Sequence, residues 1–372
     1  MSGLKVAVLA NLKKNAPKFP GMADDHWDDL DSETTVEALM AAIRAGGHEC
    51  VFLEGNADLA DALRANRPDL CFNICEGHFG DGREAQVPAL LEMLRIPYTG
   101  SRVMTLALAL DKPMTKRVLM WHDLPTPAFQ SFESPDEALD DDMQFPLFVK
   151  PSREGTGMGV SAKSIVNNEQ ELREQVAYTL ERYKQTALVE RYIAGREVTV
   201  GVVGNISGVA ARRLPERFYS KQRDYSEAGL GALKAGGLTF LPPLEIDLRA
   251  YQETDVVYSN RLKTDLADAP YTVCPAPLER KQVQELNWLT AAVFRVMGCH
   301  DVSRVDFRLD ENDHDKPYIL EINPLPGLAP GVSDLVIEAN AIHISHTELV
   351  NMVLEAAIAR HGLMGGRFVS AL

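Results

Sequence analysis

The chain opens with short apolar runs separated by stretches of helical periodicity. Residues 4–9 are a compact apolar run that reads as a buried strand. Residues 34–45 repeat apolar positions at helical spacing and stop at Gly46-Gly47. Residues 50–53 return as a strand, 59–66 as a helix and 70–74 as a strand. Strand–helix–strand alternation of this kind predicts a parallel sheet. Residues 84–94 follow as a helix, Ile96-Pro-Tyr-Thr-Gly100 leads into the segment 102–110, and a further helix covers 113–122.

A second unit begins near Thr126-Pro127. Residues 145–150 form a strand ending in Lys150, 169–183 a helix, and 187–193 and 195–203 two strands joined by a short hinge. Near the end of the chain, 304–308 and 318–323 alternate, and the polar run Asp310-Glu-Asn-Asp-His-Asp315 between them has turn chemistry. A turn centred near Asp313 and His314 makes an antiparallel hairpin that pairs Asp306 with Glu321 and Arg304 with Asn323. Alternation sets Arg304, Asp306 and Arg308 on one face, with Val305 and Phe307 on the other. In the second strand it groups Ile319, Glu321 and Asn323 against Tyr318, Leu320 and Ile322.

At 372 residues the chain is too long for one ordinary core. The pattern divides it into 1–105, an N-terminal α/β domain, 106–200, a central subdomain with a glycine-rich loop, and 201–372, a C-terminal subdomain. The net charge of −15 argues against a nucleic-acid partner. No apolar run approaches the roughly 20 residues needed to span a bilayer, and residues 6–10 are too short for a signal-peptide core. Five cysteines, odd in number and not spaced as a disulfide framework, fit a reduced, cytoplasmic protein. Cys71, Cys75 and His78 lack a second ligand pair, so zinc is not expected.

The chemistry concentrates in the hairpin. Two facing carboxylates, Asp306 and Glu321, repel each other unless a cation lies between them. With the amide oxygen of Asn323 they make an all-oxygen donor set suited to magnesium; an exposed hairpin with solvated charges is the alternative. Pro324-Leu-Pro-Gly327 then gives a rigid loop that can hold Asn323 and the Gly327 amide in place. Upstream, Lys150 runs into Pro151-Ser-Arg-Glu-Gly-Thr-Gly-Met-Gly-Val160, where glycines 155, 157 and 159 can aim backbone amides at phosphate. Glu190 and Glu197 flank the hinge, where a base and a ribose could sit. Two familiar nucleotide motifs are absent. Ala10-Asn-Leu-Lys-Lys follows the first strand in place of a glycine-rich dinucleotide turn, and Ala162 stands where a P-loop needs its second glycine.

From about Cys71 to Gly362 the combination resembles the D-alanine–D-alanine ligase branch of the ATP-grasp enzymes. The resemblance rests on the common order of Gly80-Asp-Gly-Arg-Glu-Ala-Gln86, Ile96-Pro-Tyr-Thr-Gly-Ser101, Asp111-Lys112 with Thr115-Lys116, Lys150-Pro-Ser-Arg-Glu-Gly155, Val189-Glu190, Gly195-Arg-Glu197, Arg304-Val-Asp306 and Glu321-Ile-Asn323 with Pro326-Gly327. It implies an α/β ATP-grasp architecture in which a parallel N-terminal domain precedes two α+β subdomains clasping ATP.

The site residues it implies follow one by one. Lys112, Lys150 and, through a looser match, Lys263 resemble phosphate-contacting lysines, with Gly155, Thr156, Gly157 and Gly159 as the flap. Glu190 is similar to the adenine-side residue and Glu197 to the ribose carboxylate. Asp306, Glu321 and Asn323 resemble the ligands of two magnesium ions, a site manganese can also fill. Arg304 and the Gly327 amide resemble the oxyanion-stabilising groups. Glu33 matches the carboxylate that holds the first substrate's amine, and Ser333 the hydroxyl that holds the second substrate's carboxylate. The implied reaction joins two amino-acid or peptide substrates through an acyl-phosphate, in a cytoplasmic homodimer.

The chain departs from the family in its first loop, residues 11–31, and in an insertion at 209–239 rich in basic and aromatic residues. The insertion suits a larger or acidic substrate, or a plain surface excursion. The departures keep a peptide ligase of specialised metabolism in view. A small-molecule kinase on the same nucleotide platform is the reading from another class.

Overall fold

The computed structural model describes residues 3–207, 234, 237–247 and 272–363. The first apolar runs assemble as β1 (Lys5–Ala10), α1 (Glu33–Ala45), β2 (Glu49–Glu54), α2 (Leu59–Asn66) and β3 (Leu70–Asn73). The three strands form a parallel sheet in the order β2-β1-β3. Every residue from Val6 to Ala10 is fully buried, as a central parallel strand covered on both faces requires. Ser32 starts α1 by accepting a hydrogen bond from the Thr35 amide. The helix expected at 84–94 is two elements, a 3-10 turn at Arg83–Ala85 and α3 (Gln86–Leu94). Then come α4 (Val103–Leu110) and α5 (Lys112–Trp121), with the Asp111 side chain capping α5 at the Met114 amide.

The central unit contains β4 (Phe129–Phe132), β5 (Leu147–Pro151), β6 (Ile165–Val166), α6 (Glu169–Tyr183) and β7 (Ala187–Arg191). Its antiparallel sheet runs β4-β7-β5-β6 over a core of Phe132, Leu147, Val149, Leu172, Val176 and Val189. The C-terminal unit contains β8 (Gly195–Gly204), β9 (Leu238–Phe240), β10 (Leu244–Ile246), β11 (Thr272–Val273), α7 (Arg280–Val296), β12 (Val302–Asp310), β13 (Lys316–Asn323), α8 (Asp334–Ala341) and α9 (His346–Arg360). Here the order is β11-β10-β8-β12-β13, with β9 also on β8. Helix α7 packs Leu289, Ala292, Val293 and Phe294 against the Val198, Val200, Val305 and Phe307 side of this sheet. Helix α9 returns to the N-terminal domain, where Asn351 donates to the Ala42 carbonyl at 2.9 Å.

Two expectations change. A division at 200/201 would cut through β8, and one at 105/106 would cut through α4. β8 pairs with β12 from Gly195 to Val203, so Glu197 belongs to the C-terminal sheet and the crossing lies at Tyr192-Ile-Ala194. The hairpin pairs Asp306 with Glu321 and Arg304 with Asn323, but the register then slips and Phe307 faces Ile319. Leu320 is the extra residue of a β-bulge. Ile319 therefore leaves the face of Glu321 and is buried in the core with Ile322, against the strict alternation expected of this strand. The cause lies outside the hairpin. The Ile319 amide donates to the Pro125 carbonyl at 2.8 Å, and its own carbonyl accepts from Thr126 Oγ1 at 2.8 Å.

Candidate active site

A cleft of about 570 Å³ lies among the three units, lined by the loop at 28–32, the turn at Arg83, the start of α5, the glycine-rich loop, the β7–β8 crossing, and the β12–β13 hairpin with its exit loop. Its basic wall is built at two strand and helix ends. Lys112 is the first residue of α5; its Nζ lies 3.2 Å from Glu321 Oε2 and donates to the Glu154 carbonyl at the base of the glycine-rich loop. Lys150 is the penultimate residue of β5 and pairs with Glu190 Oε2 at 2.7 Å. Lys116, one turn along α5 and fully buried, pairs with the other oxygen of Glu190 and donates to Thr126 at 2.8 Å.

One carboxylate between two lysines leaves this corner with net positive charge. Burial works to raise the Glu190 carboxyl, but the two lysines outweigh it and hold it down at about 2. Burial lowers Lys116 to about 8, with Lys150 adding to the effect against the pull of Glu190. Both values fall, which favours the charged form of Glu190 and disfavours that of Lys116. Two cations act on the Glu190 carboxylate and keep it charged.

At the opposite wall, Arg304 holds Asp306 through two bonds, Nε to Oδ1 at 2.9 Å and Nη2 to Oδ2 at 3.1 Å, and approaches Asp334 at 3.4 Å. Asp306 also accepts from Thr199 Oγ1 at 2.5 Å and from Asn323 Nδ2 at 2.8 Å. Burial disfavours the charged Asp306, yet Arg304 and these donors outweigh it and keep the carboxyl below its usual range. Glu197 sits 2.9 Å from Arg308, whose second amine donates to the Gly195 carbonyl at 3.0 Å. Gly327 closes on Ser333: a Cβ there would stand 2.8 Å from Ser333 Oγ, which accepts from the Ala329 amide at 2.9 Å.

The glycine-rich loop makes two tight turns, Met158 N to the Gly155 carbonyl at 2.9 Å and Val160 N to the Gly157 carbonyl at 3.2 Å. Thr156 and Gly157 both have positive φ, 56° and 75°. At Thr156 that is a strained conformation for a residue with a Cβ.

The structure brings Lys112, Lys150, Gly155, Thr156, Gly157, Glu190, Glu197, Arg304, Asp306, Glu321, Asn323, Gly327 and Ser333 around one cleft. It does not bring in Glu33, whose side chain is 60% exposed and paired with Lys14 on the outer side of α1. Asp28, Asp29 and Asp31, just before α1, line the cleft in its place. Gly159 also lies off the cleft lining. Its amide donates to Asp25, and a Cβ there would meet Pro151 at 2.5 Å. Lys263 and nearly all of 209–239 lie outside the described residues.

Sequence reasoning left Lys116, Thr199, Arg83 and Glu84 without roles. Arg83 and Glu84 sit inside the quoted Gly80–Gln86 motif, and a charged pair directly ahead of an apolar helix was the available signal. Among the described residues no group of three or more His, Cys, Asp and Glu side chains is arranged to hold a metal ion. The donor set here is two carboxylates, facing each other in the ladder, and one amide. Its all-oxygen chemistry fits magnesium, with water and phosphate completing the sphere.

The family model described as D-ala D-ala ligase C-terminus matches residues 118–238 and 248–355. A D-alanine–D-alanine ligase of Syntrophotalea carbinolica is 31% identical over 327 residues, 88% of this chain and 91% of that protein. An uncharacterized protein of Sinorhizobium fredii is 31% identical over 340 residues, 88% of this chain and 90% of its own. Among solved structures, the D-alanine–D-alanine ligase of Bacillus anthracis complexed with ATP superposes with a TM-score of 0.67 at 20% identity, covering 98% of this chain and all of that one.

Proposed function

Since the chain belongs to the D-alanine–D-alanine ligase family, and is an ATP-dependent ligase of ATP-grasp fold, we propose that it forms an amide bond by way of an acyl-phosphate. The observation that carries this reading is the meeting, in one cleft, of the Lys112–Lys150 wall with the Arg304–Asp306–Glu321 wall. ATP spans the two. Lys112, Lys150 and the amides of Gly155–Gly157 take the phosphates, and Glu197 takes the ribose. Glu190 lies under the base end, where it orients Lys116 and Lys150 through its two ion pairs. Asp306, Glu321 and Asn323 would hold magnesium, which supplies charge neutralisation on the phosphates.

A carboxylate oxygen of the first substrate attacks the γ-phosphorus and ADP leaves; the amine of the second substrate attacks the resulting carbonyl, loses a proton, and phosphate leaves. Arg304 and the Gly327 amide face the carbonyl oxygen as its charge grows. Ser333 offers its hydroxyl to the second substrate's carboxylate. The glycine-rich loop shields the acyl-phosphate from water.

The test measures ADP and free phosphate from Mg-ATP across D- and L-amino acids, with product mass. Amide product with one phosphate per ADP supports the reading; a phosphorylated substrate with no free phosphate would identify a kinase instead.

A further inference from the structure

Beyond Lys112 the cleft continues into a chamber walled by the loop at 28–32, Glu76 after β3, and Arg83-Glu84. Its charges are unbalanced. Two cations act here. Lys112, already paired with Glu321, reaches Glu84 from the mouth. The Arg83 guanidinium is shared: Nη2 pairs with Asp29 Oδ2 at 3.0 Å and Glu154 Oε2 at 3.4 Å, and Nη1 donates to the Arg153 carbonyl at 2.8 Å. Glu154 has a further partner in Gln185 at 2.6 Å, and Asp28 pairs with Lys13. The carboxyls of Asp31, Glu76 and Glu84 have no hydrogen-bond or ion-pair partner among the described residues.

A second observation is independent of this count. Asp29, whose side chain is only 7% exposed, leaves Oδ1 buried with no partner at all. A buried acceptor left open in a functional cleft is a place where a donor belongs. Burial, reinforced by neighbouring carboxyls, raises Asp31 to about 7 and Glu76 well above the usual range. A cation placed among them favours their charged forms, and the protons they give up pass to water.

We propose that this chamber takes an extra cationic group of the first substrate, an ammonium or guanidinium beyond its α-amine, so that the enzyme acts on a basic amino acid or a peptide beginning with one. The proposal rests on the ligase reading of the same cleft and names its substrate class. A small neutral amino acid brings one ammonium, which satisfies one or two carboxyls and leaves the rest buried against its own carboxylate. A side chain with its own cation reaches Glu76 and Asp31 while the α-carboxylate stays toward Lys112 and Arg304. The sequence of 209–239 suits a plain surface excursion or a larger or acidic substrate; the acids at this end of the cleft suit a cation instead.

The experiment uses the full chain with Mg-ATP. Lysine, ornithine and arginine are compared with alanine, serine and glutamate in both configurations, by ADP release and by product mass with fragmentation to show which residue gave its carboxylate. A basic donor should exceed alanine of the same configuration in kcat/KM by about 10- to 100-fold, the range of one or two charge-assisted hydrogen bonds. Glu76→Gln and Asp31→Asn should each raise KM for the basic donor about tenfold with little change in kcat, and so shrink the preference. Lysine alone should raise the melting temperature of the wild-type chain more than alanine does, a reading that does not depend on the variants folding. Amide formation with alanine equal to or better than with every basic donor would overturn the substrate class and leave the ligase standing. No amide product with any pair would instead remove the ligase reading on which it rests.

Discussion

Asp25 accepts a hydrogen bond from the backbone amide of Gly159 at 3.0 Å, tying the loop after the first strand to the glycine-rich loop of the central unit. The same carboxylate accepts from the Tyr183 hydroxyl at 3.1 Å on both oxygens. Residue 159 needs glycine for two reasons, its φ of 74° and the Pro151 ring where a Cβ would go. The loop is thereby held over the cleft from the N-terminal side.

Asp25→Ala should loosen that closure. Each hydrogen bond to this carboxylate is worth about 1.5–3 kcal/mol, so its loss weakens the shield. The expected outcome is more ADP released per amide formed, because water reaches the acyl-phosphate. Tyr183→Phe should show a smaller rise. The ADP-to-product ratio is the measurement, and an unchanged ratio in Asp25→Ala contradicts the latch.

Glu190→Gln should be among the most destabilising single changes in the cleft. It leaves Lys116 and Lys150 buried without their carboxylate, and breaking such a pair costs about 3–5 kcal/mol. Lys116→Met leaves the Glu190–Lys150 pair intact and should cost less. Urea unfolding of the two variants decides the order.

Arg304→Lys keeps the charge and gives up the two-point hold on Asp306. If Arg304 faces the developing oxyanion, kcat should fall by about 10²- to 10³-fold with little change in KM for ATP. A fall confined to KM would assign Arg304 to ground-state binding.

The Asp31 carboxyl gives a pH signature. Its folded value, about 7, lies above its ordinary value of 3.8, chiefly through burial with Asp29 adding to it. The folded chain therefore binds this proton more tightly than the unfolded chain. The contribution favours folding fully below pH 4 and is lost as pH rises through about 7. Asp31→Asn should flatten the decline in melting temperature between those limits.

Much of this molecule was legible in its residues, and what was not has local causes. The ranges 59–66 and 169–183 are helices at both expected ends, because their periodicity is uninterrupted and Asn168 caps the second. The pairs Asp306–Glu321 and Arg304–Asn323 followed from turn position alone. The bulge at Leu320 did not, since it is set by Pro125 and Thr126, nearly two hundred positions away in sequence. Glu33 rests on its match to the family's amine-holding carboxylate, yet a residue in the first turn of a helix can point to either side. Here the cleft meets the loop before α1. Lys116 stood in the quoted Thr115-Lys116 motif, but its pairing with Glu190 depends on a contact 74 positions along the chain.

The bulge gives the β12–β13 hairpin two independent halves. Above Leu320 the ladder sets Asp306, Glu321 and Asn323; below it Ile319 is fastened to Pro125 and Thr126. That fastening acts as a clutch. Length changes in the turn at 310–315 can slip the lower half without dragging the carboxylates out of line, so the tip of this hairpin is free to drift in evolution while its root stays fixed.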